Sequence, residues 1–283
     1  MFGATRAGGP GAVSARSLLI TVLGELMRPA GGSAWTQTLT AALDLLGVQD
    51  KAARQTITRL HDRGWLTRAK VGRQTRWSLT PTAEQLLADG AERIYGFGQR
   101  HVTWDGSWSV ILASVPDAAR NRRHQVSVGL TWAGYGSLGQ GTWISPWADR
   151  EPEAVAVLNA NGVEGATSFR AELTALGDAA DLVTRAWDLT EVRAAYDAFN
   201  AALDPTVGGG GTGRDGADVV APLVSLVHEW RRFPLLDPDL PTRLLPADWP
   251  GPEAAAAFAN RRRQWNPAAL RWWRATDASY GSA

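Results

Sequence analysis

The chain has no cysteine and only two methionines in its 283 residues. Without thiols there is no disulfide framework and no thiolate chemistry, and the absence fits a reducing cytoplasm. Lysine is nearly missing as well: 27 of the 29 basic residues are arginine. Long apolar runs are absent. The longest near the N-terminus, Leu18 to Leu23, is far too short to cross a bilayer. No small-residue cleavage site follows it, so neither a signal peptide nor a membrane partner is expected. The four histidines, His61, His101, His124 and His228, lack metal-ligand spacing. With no cysteine to assist them, neither a metal site nor a cofactor is expected.

What is present describes a globular chain. It is 45% hydrophobic and 20% charged, enough for a sizeable core, and its length suggests two or three domains. The first thirteen residues, rich in Gly and Ala, read as a disordered leader. Eleven of the fourteen tryptophans lie beyond residue 98, and tryptophan is more often core than ligand cage.

Charge is distributed unevenly. Between Lys51 and Arg76 stand eight basic side chains and one acid, Asp62. The whole chain carries +1, so the remainder carries about −6. A GC-rich genome accounts for the arginine total but not for this clustering.

Apolar spacing and capping signals divide the chain. Ser14 caps a helix with Leu18, Leu19, Val22, Leu23 and Leu26 on one face, ended by Pro29 and Gly31-Gly32. A short extended piece over 33–36 follows. A second helix then carries Leu39, Ala42, Leu43 and Leu46 and stops at Gly47. Asp50 is expected to cap a third helix, Lys51 to Arg63, which Gly64 terminates. Trp65 to Lys70 and Thr75 to Leu79 read as a hairpin, and Thr80 with Pro81 opens a fourth helix. Helix, short strand, two helices joined by a short turn, hairpin and helix make a winged helix-turn-helix over 14–97.

Residues 98–176 read as βαββαβ, the split ferredoxin-like unit. The strands are 107–115, 135–138, 142–145 and 166–173. The helices run from an Asp117 cap to Trp132 and over 151–160. From 177 to 283 the pattern is mainly helical, interrupted by a Gly-rich loop over 206–217 and a Pro-rich connection after Phe233. The fold class is therefore α+β and multidomain.

On the third helix Ala53, Ile57 and Leu60 share the face suited to the core. Lys51, Gln55, Thr58 and Asp62 lie opposite, flanked by Arg54 and Arg59. Arginine, glutamine and threonine are the groups that read base edges in a major groove. Arg68, Lys70, Arg73 and Arg76 on the hairpin are placed for phosphates or the minor groove. A solvated basic face is the usual meaning of a charge run. Here the run coincides with the second helix of a helix-turn-helix and with its wing, so double-stranded DNA is the expected partner. His61 is expected to face solvent or phosphate.

Two glycine motifs are declined. Gly134 to Gly139 matches GxGxxG, but it follows a helix and precedes a strand, the reverse of a dinucleotide site. Gly208 to Gly213 is followed by Arg214-Asp215, not by Lys and Ser or Thr.

Several segments resemble the PaaX-type transcriptional repressors of phenylacetate degradation. In the first domain these are SARSLLITVLGELMR, ARQTITRLHDRGWLTR and VGRQTRWSLTP. In the middle they are WDGSWSVILASVP and GLTWAGYGSLGQGTWISP, and beyond them AWDL and WRRFPLLDPDLPTRLLPADWPG. The resemblance covers most of the chain. It implies a cytoplasmic homodimer on palindromic operators, a Cas2-like central domain and a helical C-terminal domain. It also implies release from DNA by an aryl-acyl-coenzyme A such as phenylacetyl-CoA. Thr56 and Thr58 depart from the Ala and Ser expected there, and 206–217 looks like an insertion.

For that effector the remaining clusters are candidates: Arg231 and Arg232, and Arg261, Arg262 and Arg263, for the phosphates. Trp230, Phe233 and Trp265 are candidates for an apolar wall. Helix-end charges and core packing are the plainer reading of both sets. The Cas2 likeness also raises a metal-dependent nuclease. The carboxylates near the first central strand are only Asp105 and Asp117, so no catalytic residue is assigned. A DNA binder with no small-molecule input is the third reading.

Overall fold

The computed structural model describes residues 14–98, 103–115, 120–203 and 216–281. The leader over 1–13, His101, the Asp117 cap, the glycines of 208–213 and most of the 206–217 loop lie outside the described residues. The chain forms two compact units. One comprises Met1–Gly96, Ala198–Arg232 and Pro252–Ala283, the other Phe97–Asp197 and Phe233–Gly251. The residues expected as one C-terminal domain are thus shared between both.

In the first unit α1 spans Ala15–Val22 and continues as a π-helical turn over Leu23–Met27. The Ser14 hydroxyl accepts from Ser17 N at 3.1 Å, capping it. Leu19, Val22, Leu23 and Leu26 are fully buried. Burying each contributes about 2 kcal/mol. Then come β1 (Ser33–Trp35), α2 (Thr36–Asp44), α3 (Asp50–Asp62), β2 (Leu66–Val71), β3 (Gln74–Leu79) and α4 (Pro81–Gly96). The three strands form an antiparallel sheet in the order β1-β3-β2.

Local chemistry explains the borders. Gly64, at φ 75°, lets the chain turn back so that Trp65 N reaches Leu60 O at 2.9 Å and closes α3. Thr80 Oγ1 accepts from Ala83 N at 3.2 Å, opening α4. Asp50 is not the cap of α3. It is the first helical residue, and its carboxylate binds Arg54 Nε at 2.7 Å instead. An acid in the first turn is favoured by the helix dipole without capping it.

The second unit holds β4 (Ser107–Leu112), α5 (Arg120–Trp132), β5 (Gly136–Gly139), β6 (Thr142–Ser145), α6 (Glu151–Ala160), β7 (Thr167–Glu172) and α7 (Ala179–Ala186). Its sheet is antiparallel, in the order β5-β6-β4-β7, which is the βαββαβ arrangement the pattern leads to. One cluster joins Ile111, Val126, Leu130, Tyr135, Trp143, Ala154 and Leu158, from the sheet, α5 and α6. A second joins Trp104, Trp108, Ile144, Trp147, Val183, Trp187, Leu240 and Leu244. Segment 233–251 is tied in by polar contacts. Arg150 Nη2 lies 3.0 Å from Asp239 Oδ2, Trp147 Nε1 donates to Asp239 O at 2.7 Å, and Tyr196 OH donates to Asp237 at 2.7 Å.

The glycines of the GxGxxG stretch serve this packing. A Cβ on Gly136 would lie 2.5 Å from Trp187 Cε2, and one on Gly134 would meet the Arg150 guanidinium. Gly134 follows α5 and Gly136 opens β5.

The remaining helices are α8 (Thr190–Leu203), α9 (Val220–Trp230), the short α10 (Phe233–Leu236) and α11 (Gly251–Gly281). Within the first unit Trp230 stacks on Phe258 of α11, with ring centroids 4.6 Å apart.

Candidate nucleic-acid interface

The third helix is amphipathic in the expected sense. Ala53, Ile57 and Leu60 are buried, and Thr56 joins them. The Thr56 hydroxyl donates to Ala52 O at 2.7 Å, which satisfies it inside the helix and removes it from any surface role. Lys51, Arg54, Gln55, Thr58 and Arg59 are exposed. Thr58 donates to Arg54 O at 3.0 Å, so its hydroxyl oxygen remains able to accept. Arg54 pairs with Asp50 in an exposed i,i+4 contact, which holds it weakly.

The hairpin projects the second group. Val71 pairs with Gln74, leaving Gly72 and Arg73 as a two-residue loop with Gly72 at φ 58°. Arg68, Lys70 and Arg73 are exposed. Among the described residues no carboxylate stands within ion-pair distance of Lys51, Arg59, Arg68, Lys70 or Arg73. These five cations are solvated, unpaired and carried by two consecutive elements.

Two residues differ from expectation. Arg76 does not project with the others. Its Nη1 lies 3.0 Å from Asp277 Oδ2, its Nη2 donates to Ser33 Oγ at 2.9 Å, and its guanidinium sits 4.9 Å from the Trp35 ring centre. His61 is half-buried. Its Nδ1 is 2.7 Å from Leu66 O, and its ring meets Trp77 edge-on, so it ties α3 to the hairpin.

Three family models match this chain: PaaX-like protein over residues 14–83, PaaX protein central Cas2-like domain over 101–183, and PaaX-like protein C-terminal domain over 187–275. The transcriptional repressor PaaX of Escherichia coli K12 is 31% identical over 268 residues, covering 91% of this chain and 82% of that protein. The chain belongs to the PaaX family. Its fold is also similar to the uncharacterized protein Rv0674 from Mycobacterium tuberculosis, with a TM-score of 0.61 at 22% identity over 93% of this chain and 98% of that one.

The residues singled out for an effector in this PaaX-family chain are dispersed. Trp230 is buried, and its Nε1 donates to Ile94 O at 3.1 Å. Phe233 belongs to the other unit, where it stacks on Tyr196 at 4.2 Å. Arg231 bonds the Ser17 hydroxyl, and Arg232 lies 3.6 Å from Glu229. Arg262 is held by Glu25, and Arg261 lies 5.8 Å from the buried Trp265 ring. Arg263 is exposed, 3.3 Å from Asn260 Oδ1. Arg261 also lines a cavity of about 660 Å³ with Asn200, Leu203, Glu253, Asn260 and Gln264. In the second unit a cavity of about 680 Å³ is lined by Val183, Trp187, Arg243 and Leu244 among others, none of them anticipated from the sequence.

Asp105 is engaged with Ser107 and Arg170. Ser107 first, and then Arg170, hold its carboxyl below the usual range. Among the described residues no three His, Asp or Glu side chains come together as metal ligands. No described helix is long and apolar enough to cross a membrane.

Proposed function

We propose that this protein is a cytoplasmic transcriptional repressor that binds duplex operator DNA as a homodimer through a winged helix-turn-helix over 14–97. The observation that carries the reading is the set of unpaired cations on α3 and the hairpin, in a molecule otherwise anionic. Gln55, Thr58, Arg54 and Arg59 read base edges. Lys51, Arg68, Lys70 and Arg73 hold phosphates. The E. coli relative is named a transcriptional repressor, which supports the same role. A two-fold dimer presents two α3 helices to the half-sites of an inverted repeat.

An aryl-acyl-CoA, such as phenylacetyl-CoA, lowers operator affinity. Arg261, at its cavity, and Arg263 on the same helix take the phosphates, beside Trp265. A tenfold release needs only about 1.4 kcal/mol of differential affinity between the two states. The function is regulatory, not enzymatic.

The test is fluorescence anisotropy with a duplex that the protein itself selects from a random-sequence pool, at several salt concentrations, with Mg²⁺ present. Salt-dependent binding without cleavage, weakened by phenylacetyl-CoA, supports the reading. Cleavage, or no preference over random duplex, overturns it. Binding that no acyl-CoA weakens leaves a DNA binder without this effector.

A further inference from the structure

Asp277, in the last turns of α11, makes three polar contacts beside the hairpin. Its Oδ1 accepts from Trp35 N at 2.9 Å and from Thr38 Oγ1 at 2.8 Å. Its Oδ2 takes Arg76 Nη1 at 3.0 Å. Nearby, Gln74 Nε2 donates to Tyr280 O at 2.8 Å. Arg76 is oriented by Ser33 Oγ and lies over the Trp35 ring. A backbone N–H, a hydroxyl and a guanidinium converging on one pair of oxygens is the donor set that holds a phosphodiester. Here a carboxylate of the same chain occupies it. Thr38 and Trp35 are buried beneath the carboxylate, and the cluster opens to solvent on the Arg76 side, where that side chain is 31% exposed and Asp277 15%.

We propose that Trp35 N–H, Thr38 and Arg76 form a phosphate site for the DNA backbone, and that Asp277 occupies it in the free protein. DNA binding exchanges one anion for the other. The C-terminal helix thereby restrains affinity at the DNA-reading surface. This rests on the DNA-binding reading given above. The exchange is a competition between two anions for one set of donors, so its strength follows the charge on residue 277. Asparagine at 277 keeps an oxygen for Trp35 N and Thr38 but gives up its ion pair with Arg76.

The experiment measures binding to a random-sequence duplex, because phosphate contacts carry no sequence information. Asp277→Asn is expected to tighten binding about threefold at low salt and to steepen the log–log salt slope by up to about 0.9, because no displaced carboxylate then offsets the Arg76 charge beside the phosphate. Removing any acid near DNA raises affinity, so Asp62→Asn on α3 is the control. Adding Arg76→Gln must cancel the gain from Asp277→Asn and leave the gain from Asp62→Asn intact. Weaker binding by a normally melting Asp277→Asn, or a gain that persists without Arg76, would overturn the proposal alone. If the wild-type protein bound no duplex at any salt, the DNA-binding reading would fall with it.

Discussion

Glu25 Oε1 accepts from Arg262 Nε at 2.9 Å, joining residues 237 positions apart. Only 1% of the Glu25 side chain is exposed, so the carboxylate depends on donors for its place in the interior. Asn266 Nδ2 supplies a second at 2.8 Å, and the Tyr95 hydroxyl donates to the other oxygen. Burial first, and then Glu25, raise the Tyr95 pKa, which keeps that phenol a donor. The Arg262 guanidinium also lies 3.9 Å from the Tyr95 ring centre.

Arg262→Met removes one partner and leaves the other buried. Breaking such a pair costs about 3–5 kcal/mol. Because 31% of the Arg262 side chain is exposed, the loss should fall at the lower end. Urea unfolding measures it. Adding Glu25→Gln should recover part of the loss, since the stranded charge is then gone. Strictly additive effects would show that the two side chains do not interact.

Local elements were legible in the sequence because their causes are local. Ser14 and Thr80 cap as expected, Gly64 ends α3, and the faint strand near Tyr135 appears as Gly136–Gly139. The core face of α3 follows from spacing alone. The partners of Arg76 and Arg262 do not, because Asp277 and Glu25 lie 201 and 237 residues away and no periodicity links them. The arginine clusters at 231–232 and 261–263 stay candidates for ligand groups, beside the plainer reading of helix-end charges, for the same reason. Their local sequence shows charge, and for Arg232 also its partner Glu229 three residues before it, but not the Ser17 and Glu25 that meet Arg231 and Arg262. The division of residues 177–283 between two units likewise depends on long-range packing, such as Tyr196 on Phe233 and Phe199 beside Trp230.

Gly136→Ala tests the packing role of the glycine-rich stretch. The added Cβ would stand 2.5 Å from Trp187 Cε2 and 2.8 Å from Ala186 Cβ, where the indole is enclosed. Overpacking of this kind costs about 1–3 kcal/mol. Gly139 has open space around its Cβ direction and a φ of 86°, so Gly139→Ala carries backbone strain alone. Denaturant midpoints should place Gly136→Ala below Gly139→Ala. The reverse order would remove the close approach of Trp187 as the reason for glycine at 136.

Acid should destabilise the first unit through His228. Burial, and then the charge of Arg231, push this imidazole down to about 4, from 6.5 in an unperturbed chain. Between those two values the unfolded state holds a proton that the folded state does not. Folding stability from this group is therefore present above pH 6.5 and lost as pH falls towards 4. Asp237, in the other unit, acts with the opposite sign, because burial raises its carboxyl and acid relieves the buried charge. The test is consequently a difference: His228→Asn should flatten the decline of Tm between pH 6.5 and 4 relative to wild type. Parallel curves would show that His228 does not titrate differently in the two states.

The proposed division of labour between α3 and the hairpin on DNA can be tested residue by residue. Gln55 is exposed on α3, with an amide that matches the adenine edge. If it makes that bidentate contact, Gln55→Ala should cost about 1–3 kcal/mol on the operator and little on random duplex. Arg73 is at the exposed tip of the hairpin, and the proposed function gives it a phosphate and not a base. Arg73→Ala should weaken operator and random duplex alike and flatten the salt slope by about one unit. Anisotropy titrations of both variants on both duplexes, at matched salt, give four affinities and two slopes. The assignment requires that the Gln55 effect be confined to the operator and the Arg73 effect be shared. Equal losses on both duplexes for Gln55→Ala would mean that α3 holds the backbone, and the base-reading surface would have to be sought elsewhere on the molecule.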